Sequence, residues 1–109
     1  MRVLVLSCAE AEFAEAVGYY NGQQPGLGYE FAVEVKRTFE RIGRHPTAWP
    51  VFSSRYRRCL TERFPFGVLY QVRADAILVG GIMHLKQDPQ RWQDRAGVAF
   101  GEPPTASGG

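Results

Sequence analysis

The spacing of apolar residues changes period partway along the chain, and that change divides it. Arg2 to Leu6 is short, almost wholly apolar and built of Val and Leu, which predicts a buried strand. From Ser7 to about Gln23 the apolar residues Ala9, Phe13, Ala16, Val17 and Tyr20 recur at three- and four-residue steps, one stripe of an amphipathic helix. Ser7 followed by Glu10 has the spacing of a capping box, and Glu10, Glu12 and Glu15 sit early, where carboxylates suit the positive end of the helix dipole. Turn residues from Asn21 to Gly26 break the pattern. A second stripe follows in Leu27, Phe31, Val35, Phe39 and Ile42, with Lys36, Arg37, Glu40 and Arg41 away from it. Gly43 is placed to end this helix in a left-handed conformation, and Pro46 cannot continue it. So short a break predicts an antiparallel helix hairpin. His45 to Pro50 reads as a loop from its two prolines, with His45 exposed at the helix end and Trp49 packed over the end of the core.

From Arg55 onward the period is two. Tyr56, Arg58 and Leu60 alternate with Arg57, Cys59 and Thr61, and Phe66, Val68, Tyr70 and Val72 define one face of the next strand. Arg73 to Ala76 is compact enough for a tight hairpin turn. Ala76 to Met83 is apolar on both faces, as a central covered strand would be. Asp88 and Pro89 predict the cap and first position of a last short helix, ending near Arg95. Ala96 to Gly109 has no periodicity and reads as a mobile tail, so residues 1–95 form the expected domain and 96–109 its tail. The predicted fold is α+β: a strand, a helix hairpin, a three-strand antiparallel meander and a short C-terminal helix. The helices cover one sheet face, and the other is left open for arginines to gather.

Composition adds bounds. At 109 residues one domain can bury a core without staples. No apolar run reaches the length of a membrane span, the N-terminal run is too short for a signal peptide, and the expected compartment is the cytoplasm. Cys8 and Cys59 lack a histidine at metal spacing and read as two buried thiols. Net charge is only +2, but it is unevenly spread. Residues 1–54 carry five basic against six acidic side chains, whereas residues 55–95 carry eight against four. The basic half should attract an anionic partner, either nucleic acid or an acidic protein segment.

Four collinear pieces carry a family resemblance. They are Tyr19-Tyr20 with Pro25-Gly26-Leu27-Gly28 and Phe31; Pro46 to Pro50; Arg57-Arg58 with Arg63-Phe64-Pro65-Phe66 and Tyr70; and His84, Lys86, Asp88-Pro89, Trp92 and Arg95. Together they resemble the RelE/ParE superfamily of type II toxin–antitoxin toxins, once called plasmid stabilisation proteins. The resemblance implies a small cytoplasmic toxin, without cofactor or metal, neutralised by a cognate antitoxin in a hetero-oligomer. The antitoxin segment typically wraps the helix hairpin and sheet, which makes Phe13, Val17, Tyr20, Phe31 and Val35 the contact candidates.

Two branches of the superfamily differ in chemistry. The ribonuclease branch cuts ribosome-bound messenger RNA without a metal, and needs cations for the charged transition state plus an acid–base or stacking group. Its mid-strand arginine falls on Gly67 here, its paired lysines fall near Arg57 and Cys59, and Lys86 and Trp92 fall on its last two functional positions. If the chain is a ribonuclease, Arg58, Arg63, His84 and Lys86 are its candidate catalytic residues, with His84 the natural acid–base group. The ParE-like branch inhibits DNA gyrase by binding, and the Gly67 departure favours it. On that preferred reading the same strands offer a binding face of Arg57, Arg58, Arg63, His84, Lys86, Arg91, Trp92 and Arg95. A third reading is a degenerate toxin fold that only binds its antitoxin.

Overall fold

A computed structural model describes residues 1–53 and 56–99. In chain order the elements are β1 (Arg2–Val5), α1 (Ser7–Gln23), α2 (Leu27–Arg44), β2 (Val51–Ser53), β3 (Tyr56–Leu60), β4 (Phe66–Val72), β5 (Ala76–His84) and α3 (Pro89–Ala99). The strands form one sheet in the order β1-β5-β4-β3-β2. β1 runs parallel to β5, with Val3 opposite Ile77 and Val5 opposite Val79. The remaining neighbours are antiparallel. β5 is flanked on both edges along its first half, and its two faces are apolar because each packs on a core: Ile77, Val79 and Ile82 on one side, Leu78 and Met83 on the other. Gly80 has no opposite residue in β4, since Tyr70 pairs with Val79 and Leu69 with Gly81. This one-residue bulge lies where β5 outruns β1. Side chains of α1 satisfy the backbone there: Glu12 Oε1 accepts the Ile82 N–H at 3.0 Å and the Cys8 thiol meets the Gly80 carbonyl at 3.4 Å.

The α1–α2 hairpin covers one sheet face. Phe31, Val35 and Ile42 join Cys59, Val68, Tyr70, Ile77 and Val79 in its core. Gly28 sets how closely the helices approach: a Cβ there would lie 2.4 Å from the Val17 carbonyl oxygen and 2.6 Å from the Asn21 side chain. Asn21 instead accepts the Gly28 N–H at 2.8 Å. The loop after α2 is held from below. Arg57 donates to the Trp49 carbonyl at 2.6 Å, and the Tyr70 hydroxyl donates to the Pro46 carbonyl at 2.8 Å.

Several local expectations are corrected. Ser7 is the first helical residue rather than a cap; Leu6 takes that place without a side-chain cap, because its own N–H is still bonded to Val79 of the sheet. Gly43 lies inside α2, which is capped instead by His45, whose N–H bonds the Arg41 carbonyl. Among the described residues the left-handed glycine is Gly26, φ 88°, at the start of α2. A short edge strand, β2, extends the expected meander. The last helix continues past Arg95 to Ala99, and Ala96 is fully buried. The remainder of the expected tail, residues 100–109, lies outside the described residues. Finally, the face opposite the hairpin is partly covered. Trp92 and Ala96 of α3 pack there on Tyr56, Leu69 and Met83.

Candidate binding face

Alternation along β3 sends its two adjacent arginines to opposite faces. Arg57 turns to the hairpin side, where it holds the loop carbonyls of Thr47 and Trp49. Arg58 turns to the α3 side, its guanidinium 5.0 Å from the centre of the Trp92 ring. A cation over an indole is attracted by the ring's negative face. Trp92 itself is 1% exposed, so its ring is a packing surface for Arg58 and closed to a stacking base.

Gly67 of β4 completes this arrangement. A Cβ at Gly67 would lie 2.9 Å from Trp92 Cη2 and 3.2 Å from Cγ and Cδ of Arg58. The space a side chain would need is filled by the indole and the arginine stem. Sequence alone showed the missing side chain at this position; what fills its place depends on a residue 25 positions further on, in α3.

Of the remaining candidates, only Lys86 lines a recess with Arg58 among the described residues. Arg63 pairs with Glu30 of α2 at 2.8 Å and stacks over Phe64, on the hairpin side. His84 is half-buried against the edge of the Phe66 ring, and its Nδ1 accepts the Lys86 N–H at 3.0 Å, which leaves the proton of the neutral ring on Nε2. It lines a groove of about 530 Å³ between α1, the end of β5 and α3, together with Arg91, Arg95, Glu12 and Glu15. Arg95 is pinned in that groove by Glu12 at 2.6 Å. Lys86, by contrast, lines a recess of about 640 Å³ with Arg58, Leu85, Asp88 and Trp92. The expected basic face is thus split by α3 into two, and Arg58 and Lys86 share one part.

Among the antitoxin-contact candidates, Phe31 and Val35 are 0% and 2% exposed and belong to the core, while Phe13, Val17 and Tyr20 are half-buried against it. Cys8 and Cys59 are not joined in a disulfide. Cys59 is fully buried and burial pushes its thiol up to about 11, so it carries no nucleophilic thiolate at neutral pH. Cys8 is half-buried. Burial likewise pushes the Tyr70 hydroxyl up to about 12, consistent with its role as a neutral donor to Pro46. Among the described residues no cluster of His, Cys, Asp or Glu could hold a metal, and no helix is long and apolar enough to cross a membrane.

Sequence reading missed the apolar surface around Arg58. A second recess, of about 400 Å³, is lined by Trp49, Pro50, Val51, Arg58 and Leu60. Leu60 and Leu85 were visible in the sequence only as strand and turn residues; they are 44% and 37% exposed.

The element order, mixed sheet and terminal helix define an α+β fold. No family model and no curated protein matches the sequence. Among solved structures, a chain of the chromosomal ParDE TA system from P. aeruginosa is similar in fold, with a TM-score of 0.71 at 16% identity, over 79% of this chain and 97% of that chain.

Proposed function

We propose that this chain is the toxin of a type II toxin–antitoxin pair, neutralised in the cytoplasm by a cognate antitoxin, and that it inhibits DNA gyrase by binding. The fold shared with a chain of a ParDE system supports the toxin assignment. The Gly67 slot carries the choice of mechanism. The ribonuclease branch places a mid-strand arginine there, and here Trp92 and the Arg58 stem occupy that space. An arginine cannot enter without displacing the indole that docks α3. His84, the natural acid–base group, lines the groove on the other side of α3, and Arg63 is held by Glu30. In-line cleavage needs its cations and its acid–base group around one phosphate, and this set is dispersed.

One observation favours RNA cleavage as the second reading: Arg58 and Lys86 line a common recess. Induction of the chain in bacteria separates the two. The gyrase reading expects a DNA-damage response with intact messages. Early translation arrest with cut message ends would establish the ribonuclease instead. No growth effect, with antitoxin binding retained, would leave a fold that only binds its antitoxin.

A further inference from the structure

We propose that the free edge of β1 is the association site for a second copy of this chain, which pairs there antiparallel, β1 to β1, about a two-fold axis at Leu4. The strand order β1-β5-β4-β3-β2 gives the sheet an edge at each end. An edge strand presents unpaired backbone donors and acceptors, which natural sheets blunt with proline or with bulges. The β2 edge is blunted in both ways. Pro50 precedes it, and its pairing with β3 shifts register between Val51 and Ser53. β1 has neither device: Arg2 to Val5 run against Ala76 to Val79 in unbroken register.

Alternation decides which groups face outward. The Leu6 N–H bonds the Val79 carbonyl at 2.9 Å, so the even-numbered residues of β1 turn their backbone groups to β5. Val3 and Val5 turn theirs to the free edge. Among the described residues no strand pairs with that edge. The side chains of Val3 and Val5 pack against the hairpin core, while Leu4 is 41% exposed and Met1, at the start of the strand, 54% exposed.

The strand is complementary to itself. With Leu4 on the axis, Val3 of each copy faces Val5 of the other, and these outward residues exchange both backbone hydrogen bonds. Leu4 then meets its own counterpart in a non-hydrogen-bonded pair, where side chains lie closest, and both leucines lose exposed surface. Placing the axis at Val3 would instead set Leu4 against Arg2 of the other copy. Charge agrees with the Leu4 register. Arg2 reaches Asp75 of its own copy at 3.8 Å, and the Arg2 residues of the pair stand about 13 Å apart along the strands. That exceeds the Debye length of about 8 Å at physiological salt. A strand from another protein would satisfy the same backbone groups; a second copy does so while covering both exposed leucines at once. So short an interface makes the dimer reversible and dependent on concentration.

The full-length chain, free of antitoxin, provides the test. As its concentration rises from micromolar to millimolar, sedimentation should show monomer passing to dimer, and the Val3 and Val5 amides should gain protection from exchange. Leu4→Lys sets like charges across the axis and should weaken the dimer at least about tenfold, with unchanged thermal melting. Leu4→Cys should form a disulfide-linked dimer under mild oxidation, because Cα atoms of a non-hydrogen-bonded pair lie about 4.5 Å apart, within disulfide reach. Arg2→Cys and Val51→Cys should not. Should the lysine variant melt early, amide exchange and cross-linking decide. A monomer at every concentration, equal dimerisation by Leu4→Lys, or cross-linking as strong through Arg2→Cys as through Leu4→Cys overturns the proposal. So does protection of Val3 and Val5 that appears only on adding the cognate antitoxin, which assigns the edge to that partner. Each outcome is independent of the toxin assignment and of its target.

Discussion

The two faces of the sheet use similar residues for different ends. On the hairpin side Phe31 lies 4.9 Å from Phe66 and 5.3 Å from Phe64, ring centre to ring centre, and Tyr20 lies 4.9 Å from Phe64. Polar groups on this side hold the chain in place: Arg57 and Tyr70 fasten the 45–50 loop, Glu34 accepts the Glu62 N–H at 3.0 Å, and Arg63 reaches Glu30. On the opposite side one short helix docks through Trp92 and Ala96, and Arg58 lies against the Trp92 ring. A basic composition therefore does not by itself make a site. Arg57 and Arg63 fasten a loop and a helix on the closed side, whereas Arg58 on the other packs against the indole that docks α3.

The largest expected effect tests the closed face. Phe31→Ala should cost about 4 kcal/mol of global stability in urea titration, because it empties the centre of the aromatic cluster. Trp92→Ala should cost about 3 kcal/mol, but with a different pattern. Amide exchange should rise in α3 while the hairpin amides stay protected, since few elements share the smaller core. Equal loss of protection in both regions would erase the distinction between the faces.

Glu12 joins the two regions, accepting the Ile82 N–H from the sheet and pairing with Arg95 of α3. Glu12→Gln keeps an acceptor and removes the charge, so it should cost only about 1 kcal/mol, read by chemical denaturation. The last effect is absent at neutral pH. The folded chain holds the Cys59 and Tyr70 protons up to about 11 and about 12, against ordinary values of 9.0 and 10.0. Both groups bind their protons more tightly when folded. Their contribution is therefore complete below about pH 9 and is lost as pH rises through 9 to 12. Denaturant midpoints should fall across that range, and less steeply in Cys59→Ala.

Much of the fold was legible in the sequence because the apolar periods were strong. The stripe from Leu27 to Ile42 and the alternation from Phe66 to Val72 each have a face that must be buried. What was missed depended on contacts between distant segments. Ser7 could not act as a cap because Leu6 is held by Val79, and the last helix continued because Ala96 found a pocket against the second core. The candidate site was legible as a set of basic residues but not as a place. Strand alternation correctly separated Arg57 from Arg58, yet no local pattern could reveal that α3 would divide His84, Arg91 and Arg95 from Arg58 and Lys86. Gly67 was legible as a missing arginine; its occupation by Trp92 was not.

The central claim is that this fold acts by binding gyrase, with no RNA chemistry, and a supercoiling assay addresses it most directly. Purified protein added to gyrase and relaxed plasmid should inhibit supercoiling in proportion to its concentration, with inhibition relieved by the cognate antitoxin. Uninhibited gyrase, together with cleavage of messenger RNA on ribosomes by the same preparation, would contradict the account.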